Sequence, residues 1–181
     1  MLAAVGVGLA IVLQPRKTGK RDMVVTPSLT ESQKLAALQP VARDALGKLR
    51  ARLATLGIRI LIGQTRRTLE EEKANFDRGA SATMNSWHML GLAVDVYPYG
   101  PDGKPDLAGK HVDLFRTLQN EAKAFGFTGI SFNPDGSQKF ITVNKGTPRE
   151  HKTWDGGHLQ YMGGMTFAQA MGKYGVKSSV V

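Results

Sequence analysis

Histidine and aspartate residues with the character of metal ligands occur in two short segments that lie far apart in the chain. Residues 86–95 contain His88 and Asp95, and residues 154–158 contain Asp155 and His158. Catalytic zinc ions take three protein ligands from histidine and carboxylate side chains, and leave a fourth position for the reacting water. His88, Asp95 and His158 satisfy this count. The sequence therefore predicts a zinc site, typical of a hydrolase, that only a fold joining both segments can assemble.

The chain contains no cysteine among its 181 residues. Neither a disulfide framework nor a thiolate metal site is possible, which excludes a zinc finger. The length is that of one domain with an extension. A domain of about 150 residues buries roughly 70% of its unfolded surface, so it can fold without disulfide bonds or other cross-links. The formal net charge of +9 favours an anionic partner such as nucleic acid, anionic lipid or a phosphate-bearing cell wall. Charge alone does not choose among these partners.

The first 28 residues differ in composition from the rest of the chain. Residues 1–13 carry no charged side chain, and a basic run follows within residues 16–21. An apolar stretch of this length is too short to span a bilayer, which takes about 20 residues, and a secretory signal normally carries its positive charge before the apolar stretch. Three interpretations of residues 1–21 stay open: an atypical export or membrane-contact segment, an arm that packs on a partner protein, and disorder. We expect residues 1–28 to be this segment with a basic linker, residues 29–176 to be the folded domain and residues 177–181 to be a loose tail.

Helix and strand signals mix without strict alternation through the domain. Thr30, Thr68 and Thr166 each stand three residues before a glutamine or glutamate, which is the capping-box pattern of a helix start. The patterns predict one long helix from residue 30 to 56 with room for a kink at Pro40, strands at 58–62 and 92–97, helices at 68–79 and 112–125, a hairpin of 127–132 with 139–143, a strand through His158, and a last helix from 166 to 175. Residues 98–109 form a Pro- and Gly-rich loop that is long enough to border a site. This order indicates an α+β domain with a small, largely antiparallel sheet flanked by helices.

The predicted strand at residues 92–97 places alternate side chains on opposite faces. Ala93, Asp95 and Tyr97 share the face that we expect to line a cleft, where the small Ala93 leaves space for a metal or substrate. The steps from His88 to Asp95 would span about 23 Å if fully extended, whereas zinc ligands bond one ion at about 2.0–2.2 Å. The chain must turn back between them, and Gly91 permits this turn because it adopts positive φ without steric cost.

Two further residues have the chemistry that amide hydrolysis requires. Asp155 could bind the metal, or it could accept a proton from the attacking water; we favour the base role because Asp95 already completes the ligand set. Hydrolysis also needs a fixed cation that stabilises the oxyanion together with the metal. Arg67, between the strand at 58–62 and the next helix, is the candidate, and its neighbour Arg66 remains an alternative.

Three motifs together resemble those of a known enzyme family. They are Ser-x-His-x-x-Gly-x-Ala-x-Asp at residues 86–95, Gln-Thr-x-Arg-Thr at residues 64–68 and Asp-x-x-His at residues 155–158. The chain is thereby similar, over about residues 56–161, to the zinc peptidases that include D-alanyl-D-alanine carboxypeptidases and phage and bacterial L-alanyl-D-glutamate endopeptidases. The resemblance implies the ligands His88, Asp95 and His158, the base Asp155, the electrophilic helper Arg67, and the α+β fold shared with the zinc-binding domain of hedgehog proteins.

The sequence departs from that family's pattern at a few positions near the expected site. Arg66 stands where relatives more often carry an aromatic residue, and Gly157 and Leu159 flank His158 where proline and an aromatic residue are common. These departures bear on substrate choice, and none of them removes a ligand.

The resemblance leads us to expect a zinc-dependent peptidoglycan peptidase that cuts the stem peptide of the cell wall, with the L-alanyl-D-glutamate bond as the first candidate. Such a protein would act in the cell envelope or periplasm after export or lysis, or as part of a virion. The alternative is a catalytically inactive, metal-stabilised module that binds the wall or serves a larger assembly. Nucleic-acid binding rests on charge alone, because the chain lacks the basic stripe interleaved with aromatic residues that single-strand binders use, and we expect no nucleic-acid partner.

Overall fold

The computed structural model of the protein describes residues 29–175. Five helices and six strands occur in this part of the chain, and the expectations for residues 1–28 and 177–181 lie outside it. The elements in chain order are α1 (Glu31–Ala36), α2 (Pro40–Thr55), β1 (Ile60–Ile62), α3 (Leu69–Asp77), β2 (Ala93–Pro98), α4 (Val112–Lys123), β3 (Phe127–Gly129), β4 (Ile141–Val143), β5 (His151–Thr153), β6 (His158–Tyr161) and α5 (Phe167–Tyr174). Within residues 29–175, none of the helices has the length and apolar character needed to cross a membrane.

The main sheet has four antiparallel strands in the order β1-β2-β6-β3. A separate two-stranded sheet joins β4 to β5. Helices α2 and α4 cover one face of the main sheet, and their buried side chains form the larger hydrophobic core with those of β1, β2, β3 and β6. The α+β class with a small, antiparallel sheet is thus confirmed.

The capping residues predicted from the sequence begin three of the helices. Thr30, Thr68 and Thr166 each accept a hydrogen bond from the backbone N–H three residues later, and the glutamine or glutamate at that position bonds back to the threonine N–H. Each cap satisfies two of the N–H groups that a helix start leaves without a partner. These boundaries are local in origin, which is why the sequence alone predicts them.

The prediction of one long helix from residue 30 to 56 is wrong, because two helices separated by a short break occupy that span. Gln39 is extended, with φ −56° and ψ 142°, as the residue before a proline tends to be. Its backbone N–H donates to the Gly91 carbonyl at 2.9 Å and its side chain donates to the Leu90 carbonyl at 3.1 Å. The break between α1 and α2 therefore anchors the turn that precedes β2.

The predicted hairpin of residues 127–132 with 139–143 is correct only at its tip. Phe132 bridges Gln138, and the Gly136 N–H donates to the Asn133 carbonyl at 2.9 Å, so the chain does reverse there. The flanking strands do not pair with each other: β3 pairs with β6, and β4 pairs with β5. Phe127 is buried and packs edge-on against Tyr161 at 5.5 Å between ring centroids, so burial in the main core selects the partner of β3.

Candidate metal centre and catalytic site

Strand pairing brings Asp95 and His158 together. The two residues are directly opposite each other in the antiparallel pair of β2 and β6. Opposed residues project from the same face of a sheet with their Cβ atoms about 4.5–5.5 Å apart. Two residues that are distant in sequence thereby become side-by-side candidates for one ion.

His88 reaches the same place through a tight turn before β2. The Gly91 N–H donates to the His88 carbonyl at 3.0 Å, and the Leu92 N–H donates to the Trp87 carbonyl at 3.0 Å. Gly91 has φ +66°, in the left-handed region that favours glycine. The turn predicted from the short reach between His88 and Asp95 is therefore present, and Gly91 is the residue that forms it.

Three donor atoms converge on one point. His88 Nε2 and His158 Nδ1 each lie 3.2 Å from Asp95 Oδ1, and the two nitrogen atoms lie 3.2 Å from each other. Ligand atoms bonded tetrahedrally to zinc at 2.0–2.1 Å are about 3.3–3.4 Å apart. The donor set and its spacing fit a zinc ion, and within residues 29–175 this is the one group of three such side chains found close enough to share an ion.

A hydrogen bond to the backbone fixes the orientation of the His88 ring. Nδ1 is within hydrogen-bond distance of the Thr65 carbonyl, to which it donates, so Nε2 is the ring nitrogen that faces Asp95 and His158. Metal-bound histidines commonly use their second nitrogen in this way, which holds both tautomer and ring plane. His88 is 1% exposed, so solvent does not compete for this bond.

The charges of the three side chains are mutually stabilising. Burial opposes ionisation of Asp95, but hydrogen bonds from His158 and His88 and their positive charge outweigh it and hold the pKa of this carboxyl well below its usual range. Burial likewise opposes the charged form of His158, yet its hydrogen bond to Asp95 and the charges of Asp95 and Asp155 raise its pKa. Since imidazole must be deprotonated to bind a metal, a metal bound at this centre would displace protons and would bind more weakly in acid.

Arg67, and not Arg66, faces the centre. Its Nε donates to Gln64 Oε1 at 2.7 Å, Nη1 donates to Glu72 Oε2 at 3.1 Å, and Nη2 donates to Asp95 Oδ2 at 3.4 Å. The Arg67 side chain is 11% exposed, whereas Arg66 is exposed to solvent. Asp95 thus has one oxygen directed at the two imidazoles and the other at a guanidinium.

Asp155 lies in the same cleft as the two histidines and Arg67. Its backbone carbonyl accepts a hydrogen bond from the Ser131 hydroxyl, and the next carbonyl, that of Gly156, accepts one from the Gln119 side chain at 2.8 Å. Burial and the negative charge of Asp95 raise the pKa of the Asp155 carboxyl. A carboxylate with a raised pKa is a better proton acceptor at neutral pH.

Two adjoining clefts lead to this centre. One, of about 220 Å³, contains Arg67, His88 and His158. The other, of about 330 Å³, is lined in part by residues 107–109, so the loop at 98–109 borders the site as expected. Both clefts share Asp155, Ala80 and Ile141, so Asp155 lies where the two clefts adjoin.

The structure contradicts the expected role of Ala93. This side chain is fully buried in the second hydrophobic cluster, which includes Trp87 and Leu92, and it lines neither of the two clefts. Alternate residues of β2 project from the same face, and Asp95 faces the cleft as expected. Ala93 lies on that face too, but nearer to Gly91, where the second hydrophobic cluster covers it.

Sequence reasoning missed the residues that surround Arg67 and His88. Glu72, Gln64 and the Thr65 carbonyl all bond to the candidate site residues. Acidic residues such as those at 70–72 are common at a helix start, so the sequence gives no sign that one of them, Glu72, is buried. Only the burial of Glu72 and its contact with Arg67 distinguish it from the glutamates beside it, and neither feature can be recognised from the local sequence.

Comparisons with known proteins identify the family of this chain. The family model of the phage L-alanyl-D-glutamate peptidase matches residues 28–162. The L-alanyl-D-glutamate peptidase of Listeria phage A118 is 37% identical over 71 residues, which are 39% of this chain and 25% of that protein. The match thus spans only a quarter of the length of that curated relative.

The solved structures that this chain is similar to are more distant in sequence. The L-Ala D-Glu endopeptidase ChiX of Serratia marcescens is 18% identical with a TM-score of 0.44, over 76% of this chain and 87% of that one. The vancomycin-resistance D,D-pentapeptidase VanY, solved as a point mutant in complex with Zn(II), is 18% identical with a TM-score of 0.45, over 76% of this chain and 78% of that one. Because the family model covers most of the described domain, this chain belongs to the phage L-alanyl-D-glutamate peptidase family.

Proposed function

We propose that this protein is a zinc-dependent peptidase that hydrolyses the L-alanyl-D-glutamate bond in the stem peptide of peptidoglycan. The observation that carries the proposal is the convergence of three metal-ligand atoms at 3.2 Å from one another in a cleft that also holds Asp155 and Arg67. Membership of the family and the name of the Listeria phage relative support the choice of bond.

His88, Asp95 and His158 would hold the zinc ion. Zinc in such a site supplies Lewis acidity, which lowers the pKa of a water molecule and polarises a carbonyl group. The hydrogen bond from His88 Nδ1 to the Thr65 carbonyl holds the His88 ring in the orientation that a ligand needs.

Asp155 and Arg67 would perform the proton transfer and the charge stabilisation. The Asp155 carboxylate accepts the proton of the attacking water and later passes it to the leaving amine, so that no net proton is consumed at the residue. Three of the five N–H groups of Arg67 are bonded to Gln64, Glu72 and Asp95. The remaining groups can donate to the oxygen that becomes negatively charged as the carbonyl is attacked.

The basic character of the chain suits a substrate in an anionic wall. A net charge of +9 raises the local concentration of the enzyme at a surface that carries acidic polymers, and the effect weakens with salt. We therefore place the site of action at the cell wall, reached by export, by lysis or as a virion component.

Digestion of purified peptidoglycan followed by mass spectrometry of the products tests the proposal. We expect the native protein to release peptides with a new glutamyl amino terminus and to leave L-alanine on the glycan. Asp155→Asn removes the proton acceptor with little change of shape and should lower the rate about 10²- to 10⁴-fold, while Asp44→Asn, an exposed residue of α2, should leave it unchanged. Cleavage at another bond would refute the proposed substrate bond. No cleavage by the zinc-loaded native protein would refute the peptidase function and favour an inactive wall-binding module.

A further inference from the structure

Glu72 is a buried carboxylate with an incomplete set of partners. It lies in the first turn of α3 and is 0% exposed. One oxygen, Oε2, accepts a hydrogen bond from Arg67 Nη1 at 3.1 Å. The other oxygen, Oε1, is buried and has no hydrogen-bond partner among residues 29–175.

Stability alone does not account for a glutamate at this position. A buried carboxylate loses its hydration, and an oxygen without a partner recovers none of that loss. Apolar side chains of similar volume often replace buried ion pairs with no loss of stability. The placement of Glu72 is better explained by its effect on Arg67 than by a contribution to the core.

The contacts of Arg67 show what Glu72 does. Its guanidinium is held on three sides, by Gln64, Glu72 and Asp95, and the longest of these contacts is the one to Asp95, at 3.4 Å. Without Glu72, the carboxylates near the Arg67 guanidinium would be those of Asp95 and Asp155. Arg67 would then be drawn toward the metal ligand or toward the base, and away from the position where a substrate oxygen develops charge.

Glu72 is itself held rigidly. The capping box between Thr68 and Glu71 fixes the first turn of α3, with the Thr68 N–H donating to Glu71 Oε2 at 2.8 Å. The Arg67 backbone N–H donates to the His88 carbonyl at 3.1 Å, which ties the same segment to the metal centre. The helix start, the guanidinium and the candidate ligands therefore form one connected unit.

We propose that Glu72 is a positioning residue that holds the Arg67 guanidinium in its working orientation and limits its approach to Asp95 and Asp155. This proposal rests on the proposed peptidase function. It assigns to Glu72 no contact with the substrate, only an effect transmitted through Arg67.

A double-mutant cycle tests the proposal on the zinc-loaded protein with a stem-peptide substrate. We expect Glu72→Ala to lower kcat about 10- to 100-fold, because a misplaced charge-stabilising group loses most of its benefit, with KM and zinc content changed less than about twofold. Glu72→Gln retains an acceptor for Arg67 and should recover most of the rate. In an Arg67→Ala background, Glu72→Ala should have almost no further effect on kcat. The exposed Glu70, mutated to Gln, is the matched control and should behave as native.

Nuclear magnetic resonance of the arginine side chains gives a readout that does not depend on activity. The Arg67 Nε–H should show the relaxation of a rigid group in the native protein and of a mobile group in Glu72→Ala, with thermal unfolding used to confirm that both are folded. Additive effects of the two substitutions on kcat, or an Arg67 Nε–H as rigid as in the native protein, would overturn the proposal. A native protein without peptidase activity would instead refute the proposed function, and the relaxation measurement would still decide whether Glu72 orders Arg67.

Discussion

The substitution Gly91→Ala tests how the turn before β2 brings His88 to Asp95. Gly91 has φ +66°, and its carbonyl accepts a hydrogen bond from the Gln39 N–H at 2.9 Å. A Cβ added at this position would lie 2.9 Å from the Ala37 carbonyl oxygen and 3.3 Å from the Gln39 nitrogen. Both of these atoms belong to the backbone at the break between α1 and α2, so neither can rotate away.

Two costs add in this variant. A left-handed conformation costs a residue with a Cβ about 1–2 kcal/mol. Forcing an extra methyl group into a filled space costs about 1–3 kcal/mol more. We therefore expect Gly91→Ala to lower the free energy of unfolding by about 2–5 kcal/mol, and to weaken zinc binding because the turn that presents His88 must shift.

Urea unfolding in the presence of a chelator measures the first effect without a contribution from the metal. Gly103→Ala is the matched control for strain, because Gly103 has φ +73° but nothing lies within 4 Å of an added Cβ; it should cost only about 1–2 kcal/mol. Gly47→Ala, in the interior of α2 with open space around it, should stabilise the protein by about 0.5–1 kcal/mol. A cost for Gly91→Ala no larger than that for Gly103→Ala would refute the argument from backbone contact.

Three further predictions concern the site and its surroundings. Arg67→Ala should lower kcat about 10²- to 10³-fold. Arg66→Ala, at an exposed position, should change the turnover of stem peptide less than about twofold. Equal losses in the two variants would show that the wrong arginine has been assigned. Burial disfavours ionised Asp106, but the backbone N–H groups of His111 and Lys110 and the His111 side chain outweigh it and lower its pKa. Ionised Asp106 therefore stabilises the fold fully above the unfolded pKa of about 3.9, and this stabilisation is lost as the pH falls through the lower pKa of the folded state. The difference in unfolding free energy between the native protein and Asp106→Asn should therefore shrink in acid. A difference that grows below pH about 4 would contradict the assignment. Chelation should abolish peptidase activity, and zinc but not magnesium should restore it, because imidazole ligands suit zinc and magnesium prefers oxygen; full recovery with magnesium would exclude a zinc enzyme.

The sequence predicted the parts of the structure that depend on local chemistry. The caps at Thr30, Thr68 and Thr166 involve residues three positions apart, and the turn at Gly91 follows from the limited reach between two ligands. The convergence of His88, Asp95 and His158 could be inferred for a related reason. Three ligand-type side chains in specific motifs together indicate a metal site, even though the strands that join them cannot be paired from sequence alone.

Features that depend on tertiary contacts were not predictable. The residues at 127–132 and 139–143 have the pattern of a hairpin, but Phe127 is buried only if β3 pairs with β6. The sequence favoured Arg67 and left Arg66 as an alternative, and the pairing of Arg67 with Glu72 and Asp95 is what distinguishes the two in the structure. Glu72 itself lies among three consecutive glutamates, and only its burial separates it from the others.

Zinc analysis of two purified variants tests the central claim most directly. In the proposed mechanism, His88, Asp95 and His158 bind the metal and Asp155 transfers the proton. After dialysis against zinc-free buffer, the native protein and Asp155→Asn should each retain about one zinc ion per chain, and folded His88→Ala should retain almost none. A metal-free Asp155→Asn, or a His88→Ala variant that keeps its full complement of zinc, would contradict the account.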